Sequence, residues 1–241
     1  MTKHLHTKRL IKFWGKTGDT GAHPEDAALV KAHNQKAKAE RRLHVDQFTP
    51  IPWVGNLNTA KVIIVMLNPG MQKPAKQLCD EKLERSHLVR NLRQKNRSTL
   101  YCLQPELKET GGGRYWRGRF RTYVESQFDN LEDGYAHLSR HICIVQLVPY
   151  HSLKDPGSVR TKLPSAKAMR EWILAEIKLK HRKIIVIRGY NDIWPDDKPS
   201  NHSKLLICKG KLSLRRPSFN PTGKVSRHLA KFIGYYLIKK I

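Results

Sequence analysis

Acidic side chains are scarce in this sequence: 20 Asp and Glu stand against 46 Lys and Arg, leaving a formal charge of +26 on 241 residues. So large an imbalance repels itself unless a polyanion is the usual partner, which makes nucleic acid the first expectation. Cysteine is scarce too. Cys79, Cys102, Cys143 and Cys208 are widely spaced with no Cys-x-x-Cys pair, which argues against a zinc ribbon or an iron–sulfur cluster and reads as reduced thiols. There is no signal-like N-terminus, and no apolar run is long enough to span a bilayer. The expected location is the cytoplasm or the nucleoid, with no membrane partner. No Ser- or Pro-rich linker divides the chain, so the expectation is one domain at 46–241 behind a basic N-terminal extension, 1–45, that carries a helix.

The basic residues are unevenly placed. The last 44 residues, 198–241, contain eleven Lys or Arg and no acid, whereas 122–139 hold Glu125, Asp129, Glu132 and Asp133 and no Lys or Arg. A solvated charged face ordinarily mixes signs, so one basic face and one non-basic face are expected.

Residues 62–67 are six apolar side chains in a row, four of them β-branched, followed by Asn68, Pro69 and Gly70. Such a run predicts a strand buried on both faces of a parallel sheet, ending in the position where ligands of open α/β sheets bind. A second strand leads from His141 through Gln146 into the polar loop Pro149, Tyr150, His151 and Ser152. A third covers 183–188 and a fourth 204–208. Between them, helical patterns run from Pro24 to about Leu43, from Lys76 to Gln94, from Ser165 to Leu179 and from Val225 to Lys240. Strands alternating with helical crossovers predict an α/β fold, a three-layer α/β/α sandwich around a mainly parallel four-stranded sheet. Residues 111–121 keep two readings. One is a flexible glycine loop whose Arg114, Trp116, Arg117 and Arg119 contact phosphates and bases; the other is a surface segment in which Trp116 and Phe120 begin a packed helix.

Three strand-end segments therefore carry polar groups: Asn68, Gln146 to Ser152, and Asn220 to Lys224. In order and wording they resemble the uracil-DNA glycosylase superfamily. Met66-Leu67-Asn68-Pro69-Gly70 is similar to the Gly-x-Asn-Pro-Gly motif of its mismatch-specific, thymine-DNA and single-strand-selective branches, departing at the first position. Asn220-Pro221-Thr222-Gly223 is similar to the second motif, Asn-Pro-Ser-Gly. The resemblance covers about 50–236. It implies a monofunctional DNA glycosylase that flips out and excises a deaminated or modified pyrimidine, uracil or a bulky modified cytosine such as the glucosylated hydroxymethylcytosine of phage DNA. Asn68 and Asn220 would be catalytic, and Leu67, Gly70, Met71, Gln146, Tyr150 and His151 would bind the base. Ser218, Thr222, Gly223, Lys224, Val225, Ser226 and Arg227 would join Arg114, Trp116, Arg117 and Arg119 on the DNA. No cofactor or metal is implied, and a monomer is expected. Two departures bear on the substrate: Lys224 and Val225 stand where related branches carry an apolar wedge, and no aromatic residue follows soon after Gly70. A role for His151 on base or phosphate competes with a structural one; His141 reads as structural, and His228 as facing solvent or phosphate.

Two rivals accompany this reading. A catalytically idle nucleic-acid-binding module of the same fold would share the charge and the motifs, because an amide such as Asn68 is no strong general base. A nuclease is disfavoured by the lack of a clustered Asp, Glu and His set of the kind a metal site needs.

Overall fold

The computed structural model describes residues 5–71, 74–95, 98–194 and 203–208. In chain order the elements are α1 (Leu5–Trp14), α2 (Ala27–Lys36), β1 (Trp53–Val54), β2 (Val62–Met66), α3 (Pro74–Leu92), α4 (Gly111–Gln127) and α5 (Leu131–His141). They continue with β3 (Ile142–Gln146), α6 (Val159–Lys162), α7 (Pro164–Leu179), β4 (Lys183–Val186), α8 (Tyr190–Ile193) and β5 (Leu205–Ile207). The expected strands at 62–67, from His141 through Gln146, at 183–188 and at 204–208 all form, each within a residue or two of its predicted limits, with His141 closing α5 instead of opening β3.

The sheet has five strands in the order β1-β3-β2-β4-β5, with β2, β3, β4 and β5 parallel and β1 antiparallel to β3. The four-stranded expectation is corrected by β1, which lies in a stretch that reads as an extended lead-in because prolines flank it. On an edge strand a proline loses no ladder bond; the Pro52 carbonyl accepts from Gln146 N at 2.9 Å, and Trp53 and Val54 pair with Val145 and Ile144.

Alternate side chains of β2 face opposite cores. Val62, Ile64 and Met66 pack with Ile142, Ile144 and Ile185 under Phe120, Tyr123 and Val124 of α4 and Tyr135 and Leu138 of α5. Ile63 and Val65 pack with Cys143, Val145, Ile184 and Val186 under Leu10 and Trp14 of α1 and Met169, Trp172 and Ile173 of α7. Period-two alternation in a wholly apolar strand requires helices on both faces. A smaller core gathers Val30, Leu43, Val148, Tyr150 and Leu163 beside the sheet.

Residues 111–121 belong to α4, and Gly113 there serves packing. Thr110 caps the helix by accepting from Gly113 N at 3.0 Å, and a Cβ on Gly113 would lie 1.9 Å from the Leu107 carbonyl oxygen. In α5, capped by Asn130, a Cβ on Gly134 would lie 2.4 Å from Val124, so the glycine sets how closely α4 and α5 approach. The helix expected from Pro24 to Leu43 is shorter, ending at Lys36 and followed by a 3-10 turn at Ala39–Arg41. The closing helix expected at 225–240 lies outside the described residues.

Candidate functional site at the strand ends

Beyond β2 and β3 the ladder continues into the loops: Leu147 N donates to the Met66 carbonyl at 3.1 Å and Val148 N to the Leu67 carbonyl at 2.7 Å. Gly70 then pairs with Ser152 in a parallel bridge, and His44 with His151 in an antiparallel one. Two of the three strand-end segments singled out in the sequence are thereby locked side by side. The third, with Asn220, Ser218, Thr222, Gly223, Lys224, Val225, Ser226 and Arg227, lies outside the described residues.

Asn68 Nδ2 donates to Ser152 Oγ at 2.8 Å and to its neighbour's carbonyl, Pro69 O, at 3.1 Å. Since Pro69 O can only accept, the amide is turned with its NH2 inward. Asn68 Oδ1 carries no hydrogen bond from the described residues. Ser152 in turn donates to the Lys154 carbonyl at 2.6 Å, so one hydroxyl ties the β2 turn to the β3 loop.

His151 is 3% exposed, and its Nδ1 donates to the Gly70 carbonyl at 2.9 Å. That partner fixes the tautomer and leaves Nε2 bare; it is buried and has no partner among the described residues. Burial lowers the imidazole pKa to about 4, with the Gly70 carbonyl pulling it up and the neighbouring His44 pushing it down. His151 is therefore neutral at physiological pH, an acceptor rather than a cation. Gln146, opposite Met66 in the ladder and 7% exposed, also holds a buried atom without a partner, Oε1. An orphaned buried polar atom costs about 1–3 kcal/mol, and a ligand that satisfies Gln146 and His151 recovers that cost.

The remaining expected site residues are placed differently. Leu67 and Met71 are half-buried and Gly70 is exposed beside Asn68. Tyr150 is 1% exposed, and its hydroxyl donates to Asp26 at 2.6 Å and accepts from His23 N at 3.0 Å, which assigns the ring to the small side core. Trp116 is buried against Phe120, rings 5.8 Å apart, and is closed to base stacking in this arrangement. Arg117 pairs with Glu132 and lies over the Tyr135 ring; Arg119 lies over Tyr115, and Arg114 sits 3.9 Å from the Glu109 carboxylate.

Sequence reasoning missed a set of carboxylates on α3. Asp80, Glu81 and Glu84 stand at positions i, i+1 and i+4, one helical face, and all three are buried. Glu81 Oε1 accepts from Thr49 N at 2.9 Å and Thr49 Oγ1 at 2.6 Å; Asp80 Oδ2 accepts from Gly111 N at 2.6 Å at the start of α4. Burial raises the Glu84 pKa to about 7, helped by the charges of Asp80 and Glu81 and opposed by hydrogen bonds from Thr110 and Tyr101. Thr49 follows Phe48, whose ring meets His151 edge-on at 5.3 Å, so the set adjoins the wall of the strand-end site. The i, i+4 spacing of acids within a leucine-bearing helix was the available signal. Among the described residues no group of three or more His, Cys, Asp or Glu side chains is arranged to hold a metal ion. The chain matches no family model, no curated protein and no solved structure.

Proposed function

We propose that the chain is a monofunctional DNA glycosylase that flips out a deaminated or modified pyrimidine and hydrolyses its glycosidic bond, leaving an abasic site. The observation that carries this reading is the turned amide of Asn68 at the end of β2, beside Gln146 and His151, whose Oε1 and Nε2 are buried; among the described residues Asn68 Oδ1 and these two atoms have no hydrogen-bond partner. Added to the resemblance of the Asn68-Pro69-Gly70 turn, it meets the needs of base excision: a group to hold water and groups to satisfy the edge of an extruded base.

In this mechanism Asn68 Oδ1 accepts a hydrogen bond from a water and orients its oxygen toward the sugar C1′. The C1′–N1 bond breaks, the base departs with the bonding electron pair, the water oxygen bonds C1′, and its proton is lost to solvent. Asn68 orients the water without taking its proton, so slow chemistry is expected. Gln146 and His151 pair with the base, and because His151 is neutral with Nε2 bare, it accepts from a base N–H or O–H. Both uracil and a modified cytosine of phage DNA remain within the proposed substrate class.

The test treats oligonucleotides bearing different pyrimidines, phage modifications included, with the protein and then alkali. Alkali-labile breaks at one base type are expected. Asn68→Ala should abolish them while keeping DNA affinity within about twofold, and equal activity of mutant and wild type refutes the assignment. The described residues place no carboxylate in hydrogen-bond contact with Asn68, which favours a second reading, a binding module without chemistry. DNA binding without breaks at any base would establish it.

A further inference from the structure

Of the cations expected on DNA through α4, Arg114 and Arg117 lie against acids and Arg119 over the Tyr115 ring, while another face carries cations that form no ion pair with a described residue. Arg117 pairs with Glu132, Arg121 with Glu125 at 2.7 Å, and Arg114 lies 3.9 Å from Glu109, all on the α4–α5 layer. On the opposite side of the sheet, α1 turns Lys8, Arg9 and Lys12 to solvent, and α7 places Lys167, Arg170 and Lys178 on its outward stripe. None of the six forms an ion pair with a described residue, and Glu171 is the one acid on the two stripes. The helices form one surface because they are bonded to each other: Trp172 Nε1 donates to Thr7 Oγ1 at 3.0 Å, and buried Glu176 meets His6 and, at 3.5 Å, Thr7.

We propose that this outer face of α1 and α7 binds the phosphate backbone of nucleic acid, as a contact separate from the strand-end site and beyond the glycosylase reading. From Lys167 to Lys178 the stripe is about 16 Å long at 1.5 Å per residue, enough to run beside several phosphates of a duplex, in which each strand carries one charge per about 3.4 Å of helix axis. Six cations with no ion pair among the described residues, on a rigid two-helix platform, match a dense line of charge. The surface is poorly suited to a lipid bilayer: the exposed large apolar side chains of the two helices, Leu5, Leu174 and Leu179, are each only 36–40% exposed, and no aromatic side chain stands on either stripe.

The test is the salt dependence of affinity for a short unmodified duplex, read by fluorescence anisotropy with the full chain. Two variants, Lys8→Glu/Arg9→Glu/Lys12→Glu and Lys167→Glu/Arg170→Glu/Lys178→Glu, are compared with wild type. A charge-matched control, Lys108→Glu/Arg121→Glu/Arg140→Glu, alters the α4–α5 side. Each lost phosphate contact lowers the slope of log affinity against log salt by about 0.9. Each test triple should therefore flatten the slope by about 2 to 3 and weaken binding roughly tenfold or more near 0.1 M salt, with the control close to wild type. The same triples built with Gln guard against misfolding and should shift the slope in the same direction. Wild-type slope and affinity in both triples would overturn the proposal. So would an equal loss in the control, which would make the effect one of net charge. Duplex binding unchanged while phosphatidylserine vesicles lose the triple variants would overturn it in favour of a lipid partner. Because the readout is binding to unmodified DNA, it stands or falls independently of base release.

Discussion

Glu84 and His151 are the two side chains whose protonation the fold disturbs most usefully, and they act in opposite directions. Glu84 titrates near 7 in the folded chain against an ordinary 4.5, so between those values the native state keeps a proton that the unfolded chain has lost. Stability therefore falls as pH rises from about 4.5 to about 7, by up to about 3 kcal/mol from this group at 1.36 kcal/mol per unit. Glu84→Gln removes the ionisable proton. In urea unfolding it should be more stable than wild type at pH 8 and nearly equal at pH 4, and a parallel offset at both pH values would contradict the assignment. His151 and His141, both lowered to about 4 by burial, do the reverse: the unfolded chain binds their protons first, and stability is lost as pH falls from 6.5 toward 4. None of this was legible residue by residue, since the shifts come from burial and from neighbours remote in sequence.

Among the elements, α1 changes the meaning of the N-terminal segment. Its sequence allows a flexible arm or a helix laid on the body; the fold uses it as a piece of the core. Trp14 is 1% exposed and meets Trp53 at 6.2 Å with rings nearly perpendicular, while Leu10 joins the same cluster over β2 and β4. Trp14→Ala should cost about 3–5 kcal/mol, the range for a large aromatic removed from a core. A midpoint of urea unfolding within error of wild type would mean that the segment is detachable. The strands were legible because β-branched runs buried on both faces leave few alternatives. The helix α4 was legible only as one of two readings of 111–121, and α5 not at all, because glycine at Gly113 and Gly134 lowers helix propensity while tertiary contact demands it.

At the scale of the whole molecule, charge bears on stability and on the proposed binding of nucleic acid. With +26 on the chain, self-repulsion opposes folding, and added salt screens it over a Debye length of about 10 Å at 0.1 M. Raising NaCl from about 0.02 M to about 0.3 M should raise the melting temperature in free protein while weakening duplex affinity. A melting temperature insensitive to salt would indicate that the unpaired cations are far enough apart not to repel. Among the described residues no helix is long and apolar enough to cross a membrane.

Local sequence was enough for the α/β class, the four parallel strands, and the polar turn at Asn68 that ends β2, because alternation and β-branching act over a few residues. Tertiary structure alone decided that Tyr150 is held by Asp26, 124 residues away, that Trp116 lies in the core and that Arg117 faces Glu132. It also decided that Lys8, Arg9 and Lys12 of α1 and Lys167, Arg170 and Lys178 of α7 share one side of the sheet. Each of these depends on which partner reaches a side chain first, and that is settled by the packing of helices on a sheet, where residues distant along the chain become nearest neighbours.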